Sequence, residues 1–142
     1  MSPHYRCDVE HWESMTDLIK TEVRETTGVI TLDRPKALNS LNHEMARAID
    51  ATLKQWRNDD AIAQVVVQSA GKHFCSGGDV RAAREGILDG RSTEVDAFFA
   101  DEYAMNLDIA NYPKPYIALC NGVIMGGGMG ISAHGSHMVV TE

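Results

Sequence analysis

Apolar residues along this chain recur with strand-like and helix-like spacing in turn, and polar or glycine-rich breaks separate the segments. Leu18-Ile-Lys-Thr-Glu-Val-Arg24 and Gly28-Val-Ile-Thr-Leu-Asp33 are short and rich in β-branched residues; Glu25-Thr-Thr-Gly28 separates them, which predicts a hairpin. Arg34-Pro35 ends the second strand, because proline cannot donate to a ladder. Asn39-Ser-Leu-Asn42 offers polar capping residues, and Met45, Ile49, Leu53 and Trp56 follow at helical spacing, predicting an amphipathic helix over 42–57. Asn58-Asp-Asp60 breaks it, and Gln64-Val-Val-Val-Gln68 reads as a strand buried on both faces.

Further on, a loop over 70–79 leads into a helical stretch over 80–88, and Asp89-Gly-Arg-Ser92 forms a surface turn. The next helix spans 94–111 and stops before Pro113. Pro115–Cys120 is a strand, Gly126-Gly-Gly128 opens a helix through His134, and His137–Thr141 is a last strand. The order ββα, β, αα, β, α, β favours an α/β fold with interleaved strands and helices. Residues 1–17 read as a polar lead-in.

Composition narrows the function classes. The 142 residues are one domain's worth, and an apolar content of 44% is enough for a core. Thirteen basic against twenty acidic residues give a net charge of −7. This argues against nucleic acid and membrane surfaces as partners, while a local basic cluster could still hold phosphates. Cys7, Cys75 and Cys120 are far apart with no CxxC, which fits a reducing cytosol; without an apolar leader or a membrane-length run, a cytoplasmic protein is expected.

Two glycine loops carry the candidate chemistry. Lys72-His-Phe-Cys-Ser-Gly-Gly-Asp-Val-Arg81 leaves one apolar strand and enters a helix, with Lys72 and Arg81 placed to meet phosphates. The bland alternative is a tight β–α turn that needs glycine. Gly126-Gly-Gly-Met-Gly-Ile-Ser132 also follows an apolar run. Its Gly126 and Gly128 have the first spacing of a dinucleotide loop, but Ile131 spoils the third position. No G-x-x-x-x-G-K-[ST] occurs, which excludes a P-loop. Two loops of bare backbone suggest N–H groups converging on one acceptor, an oxyanion hole.

Among side chains, Glu102 stands out. It falls with Phe98, Met105 and Ile109 on one helical stripe, so its carboxyl is either desolvated or turned to the stripe's edge. His134 and His137 lack partners for a metal set, and no metal site is expected. Cys75 is better read as packing than as a nucleophile. Glu94, Asp96 and Asp101 are expected on a solvated face.

Lys72-His-Phe-Cys-Ser-Gly-Gly-Asp79, paired with Asn121-Gly-Val-Ile-Met-Gly-Gly-Gly128 and preceded by Leu32-Asp-Arg-Pro-Lys-Ala-Leu-Asn39, resembles the crotonase (enoyl-CoA hydratase/isomerase) superfamily from residue 18 onward. The wording of Gly77-Gly-Asp-Val-Arg81, Asp101-Glu-Tyr-Ala-Met-Asn106 and Met125–Gly135 is most similar to its hydrolase branch, acting on 3-hydroxyisobutyryl-CoA in valine catabolism. The resemblance implies a crotonase-like spiral of ββα units, incomplete at the C-terminus, with 18–142 as the N-terminal part of the core. It implies thioester hydrolysis with Gly78 and Gly127 as backbone oxyanion donors. Lys72 and Arg81 would lie near the CoA phosphates, Ala37 and Ser76 near the adenine end, Gly77 and Asp79 in the binding loop, and Glu102 along the acyl pocket.

Coenzyme A would enter as part of the acyl-CoA substrate, with no separate cofactor. Related hydratases carry a second glutamate two residues after the triple glycine, where this chain has Gly130. The family's catalytic Glu and Asp follow the strand that here reads Met138-Val-Val-Thr-Glu142, so the chain alone is expected to be inactive. Its exposed inner faces would be covered by a homo-oligomer or a C-terminal complementing segment. Enoyl-CoA hydration or isomerisation, and a non-catalytic CoA-binding fragment, are the alternatives.

Overall fold

The structure is a computed structural model and describes residues 16–141; most of the lead-in, Cys7 and Glu142 lie outside that range. Strand β1 (Ile19–Arg24) pairs antiparallel with β2 (Thr27–Leu32), and their turn is the two residues Glu25 and Thr26. The expected four-residue separation is therefore shorter. Gly28 belongs to the strand for a packing reason: a Cβ there would lie 2.5 Å from the Trp56 ring.

A single 3₁₀ turn (Pro35–Ala37) leads to helix α1 (His43–Arg57). Of the two asparagines offered as caps, Asn42 does the capping, its Oδ1 accepting from the Met45 N–H at 2.9 Å. Asn39 is buried instead, with φ 53. Its Oδ1 accepts from the Arg34 N–H at 2.7 Å, and its amide donates to the Ala70 and His73 carbonyls at 2.8 Å each. It ties the loop before α1 to the loop after the third strand.

Strand β3 (Gln64–Ser69) runs parallel to β2. Helices α2 (Val80–Leu88) and α3 (Ser92–Ala110) cross over to β4 (Tyr116–Cys120), and α4 (Gly127–Ala133) crosses to β5 (His137–Val140). The five strands form one sheet in chain order, parallel from β2 onward.

Ile30, Leu32, Val65, Val67, Tyr116, Ala118 and Cys120 share one cluster with the α1 stripe and with Phe98, Met105, Ile109 and Ile131. The helices therefore cover one face of the sheet. This corrects the reading of β3: Val66 is only half-buried, and Gln64 and Gln68 turn to the other face, where their amides donate to the Thr27 and Thr31 hydroxyls. Asp101 is likewise not merely solvated. It joins α3 to α1 through His43 Nε2 at 2.5 Å and Arg47 Nε at 3.2 Å.

Candidate functional site

Backbone pairing brings the two glycine loops together. The Cys75 N–H donates to the Val123 carbonyl and the Met125 N–H to the Cys75 carbonyl, each at 3.1 Å, while the Phe74 N–H reaches Asn121 at 2.7 Å. On the other side, the Leu41 N–H donates to Gly77 and the Asp79 N–H to Leu41, both at 2.7 Å. Residues 74–79 are thus pinned between the segment before α1 and the segment before α4.

This pinning leaves two amides over. Gly77 (φ +115) and Gly126 (φ +52) each adopt a backbone that side chains disfavour, and each directly precedes a glycine whose N–H has no acceptor among the described residues. Those two are Gly78 and Gly127. They are close neighbours: a Cβ on Gly127 would stand 3.2 Å from the Gly78 nitrogen. Gly128 is bare for another reason, since its Cβ would lie 2.5 Å from the Cys75 carbonyl oxygen, so α4 can seat on the loop only through glycine. Two unpaired N–H donors side by side can hold one oxygen that gains negative charge.

Glu102 faces these amides. The α3 stripe of Val95, Phe98, Glu102, Met105 and Ile109 is buried, with Glu102 only 5% exposed. Its Oε1 would be 2.5 Å from a Gly127 Cβ and its Oε2 3.9 Å from a Gly78 Cβ. The carboxyl hydrogen-bonds to no described residue, and desolvation raises its pKa above the ordinary glutamate value.

The other expected site residues divide. Ser76 and the Ala37 turn meet, the Ser76 N–H donating to the Leu38 carbonyl at 3.1 Å. Both Asp79 oxygens are committed, Oδ1 capping α2 at the Ala82 N–H and Oδ2 pairing with Arg34 at 3.0 Å. Burial works to raise the Asp79 pKa, but the Ala82 N–H and Arg34 outweigh it and hold the carboxyl below its usual range. Arg81 is exposed and pairs with Glu85 at 3.4 Å, and the Lys72 side chain is exposed. Cys75 is buried, and desolvation pushes its thiol up to about 11, which suits packing and not attack.

A cavity of about 260 Å³ lies between α1, α2 and α3, against His43, Arg91, Val95 and Phe98. Asp79 is the one residue of the first glycine loop that lines it; neither Gly78 nor Gly127 does. Sequence reasoning missed Asn106, one helical turn beyond Glu102 and off the apolar stripe. Its four-residue spacing from Glu102 was the available signal.

Residues 27–142 match the family model described as enoyl-CoA hydratase/isomerase. The chain belongs to that family. It is 49% identical over 116 residues to the 3-hydroxyisobutyryl-CoA hydrolase, mitochondrial, of Danio rerio, covering 81% of this chain and 30% of the relative. With the Homo sapiens protein of the same name it shares 43% over 122 residues, covering 85% and 31%. The crystal structure of a carnitinyl-CoA dehydratase from Mycobacterium thermoresistibile superposes with a TM-score of 0.82 at 41% identity, covering 88% of this chain and 37% of that one. An enoyl-CoA hydratase from Rhodobacter sphaeroides 2.4.1 gives 0.83 at 37%, covering 87% and 37%. The fold is the crotonase fold, and the chain spans about a third of the length of the curated relatives it matches.

Proposed function

We propose that this chain supplies the oxyanion side and part of the CoA-binding surface of a hydrolase acting on a short 3-hydroxyacyl-CoA thioester, 3-hydroxyisobutyryl-CoA being the best candidate. The observation that carries the reading is the pair of adjacent, unpaired amides of Gly78 and Gly127. The names of the relatives support the choice of substrate. The thioester oxygen sits between the two N–H groups and is stabilised there as it gains charge when water adds to the carbonyl carbon; collapse then expels the CoA thiolate. In other enzymes, loss of one such donor costs about 10²–10³ in rate.

Lys72 and Arg81 are exposed for the CoA phosphates, and Ala37 and Ser76 form the ledge for the adenine end. Glu102, the uncommitted carboxyl at the amides, lines the acyl pocket. The 142-residue chain alone, with about a third of its relatives' length, is expected to bind the thioester without turning it over. Leu119, Val123, Met125, Met129, Val139 and Val140 are each at least 38% exposed, which supports a homo-oligomer or a complementing segment over this surface. The mitochondrial names of the relatives weigh against the cytoplasmic expectation.

The second reading is hydration of an enoyl-CoA, favoured by the solved structures of a dehydratase and a hydratase. Gly130 speaks against it, because it carries no carboxyl and its bare Cβ position faces the Asn106 amide instead. Titrating the chain with 3-hydroxyisobutyryl-CoA and crotonyl-CoA, while following free thiol and enoyl absorbance, separates the readings. Binding of the hydroxyacyl thioester with neither signal changing is expected. Thiol release that disappears in Glu102→Gln contradicts the inactivity of the chain, and loss of enoyl absorbance favours the hydratase.

A further inference from the structure

Helix α3 lays two polar side chains, one turn apart, along the bare glycines of α4. Glu102 lies over Gly127, and Asn106 lies over Gly130, where a Cβ would be 2.6 Å from Nδ2 and 2.8 Å from Oδ1. Asn106 is half-buried, its Oδ1 is wholly buried without a partner, and neither end of its amide bonds to a described residue. A buried amide oxygen left unmet is costly, and such groups in native proteins call for a ligand or a water to satisfy them. Gly127 and Gly130 are three residues apart, about 4.5 Å along the helix axis. A thioester oxygen and a hydroxyl oxygen on the third carbon are four bonds apart, and such a chain, extended, spans a comparable distance.

We propose that Asn106 is a specificity-determining residue that hydrogen-bonds a hydroxyl on the third carbon of the acyl chain when the thioester oxygen is held at Gly78 and Gly127. A hydroxyl suits either end of the amide, because it both donates and accepts. The bare α4 face at Gly130 is what leaves room for the Asn106 amide, so the two positions act as a unit. This inference rests on the acyl-CoA reading above and assigns the part of the site that reads the acyl group.

The test compares 3-hydroxybutyryl-CoA with butyryl-CoA, which differ by that hydroxyl alone, in calorimetric titrations of the full chain. The wild type binds the hydroxylated thioester about tenfold more tightly, one hydrogen bond's worth. Asn106→Leu keeps the size and brings the two affinities together. Gly130→Ala does the same by displacing the amide while leaving Asn106 in the sequence, so a folding failure of one variant does not end the test. A purely structural Asn106 weakens both ligands equally and preserves their ratio, which overturns the proposal. Equal affinities in the wild type overturn it too, and leave the acyl-CoA reading standing. Failure of both thioesters to bind the wild type overturns the proposal and the acyl-CoA reading together.

Discussion

Glu102 and Gly127 sit so close that a single methyl group on the glycine would stand 2.5 Å from Oε1 of the carboxyl. That contact fixes what each residue can be. Glu102 looks onto the backbone amide that Gly127 exposes, and any side chain at 127 would have to move that carboxyl.

Alanine at Gly127 therefore pushes mainly on the movable end of Glu102, with the Gly78 nitrogen and Leu41 at 3.2 Å as firmer neighbours. Alanine at Gly128 meets the Cys75 backbone oxygen at 2.5 Å, which cannot swing aside. Overpacking of this kind costs about 1–3 kcal/mol. Urea unfolding should place Gly128→Ala at or above the top of that range and Gly127→Ala below it. The reverse order would mean the two loops are not joined as described.

Glu102 also gives a pH signature. Burial raises its pKa from 4.5, so the folded state holds the proton after the unfolded chain has lost it. Wild-type stability then falls as pH rises from about the unfolded value through the raised folded one. Glu102→Gln lacks this loss. Its stability relative to wild type should climb across that window and level off above it; parallel curves in unfolding measured from pH 3.5 to 8 would contradict the desolvated carboxyl.

Asp79 should show the opposite slope. Burial works to raise its pKa, but the α2 cap and Arg34 outweigh it and bring the pKa below the ordinary 3.8, so its ionised form stabilises the fold. That contribution is complete above the unfolded value and is lost as pH falls through the lower folded one. Asp79→Asn should cost about 1 kcal/mol at neutral pH, and the gap should close in acid. A gap independent of pH would contradict the lowered pKa of Asp79.

Asn39 holds the ledge beside the site through three hydrogen bonds. Replacement by alanine should cost about 2–4 kcal/mol, from the bonds lost and the groups left unpaired. Asn39→Gly, which relieves the φ of 53, should recover only a minor part of it. Full recovery with glycine would reduce Asn39 to a backbone role.

How much of this was legible in the sequence depends on how local each signal is. The α1 stripe and the place of Glu102 on the α3 stripe followed from helical periodicity, because both are properties of one helix. Whether the Glu102 carboxyl was desolvated or turned to the stripe's edge did not. Asn39 and Asn42 could not be told apart as caps, since Asn39 takes its partners from Ala70 and His73, some thirty residues on. Gly28 looked like a turn residue because its reason, the Trp56 ring, lies in another element. The three valines of β3 promised burial on both faces, but helices cover only one. Each glycine loop alone was compatible with an ordinary turn; the pairing of Cys75 with Ile124 makes them one site.

The central claim is that the Gly78 and Gly127 amides bind and polarise a thioester oxygen. Difference infrared spectra of 3-hydroxybutyryl-CoA, carbon-13 labelled at the carbonyl and bound to the chain, test it directly. Two hydrogen bonds to the oxygen weaken the C=O bond, so the stretch should move to lower wavenumber on binding. A thioester that binds with its carbonyl stretch where it stands in free solution would contradict the account.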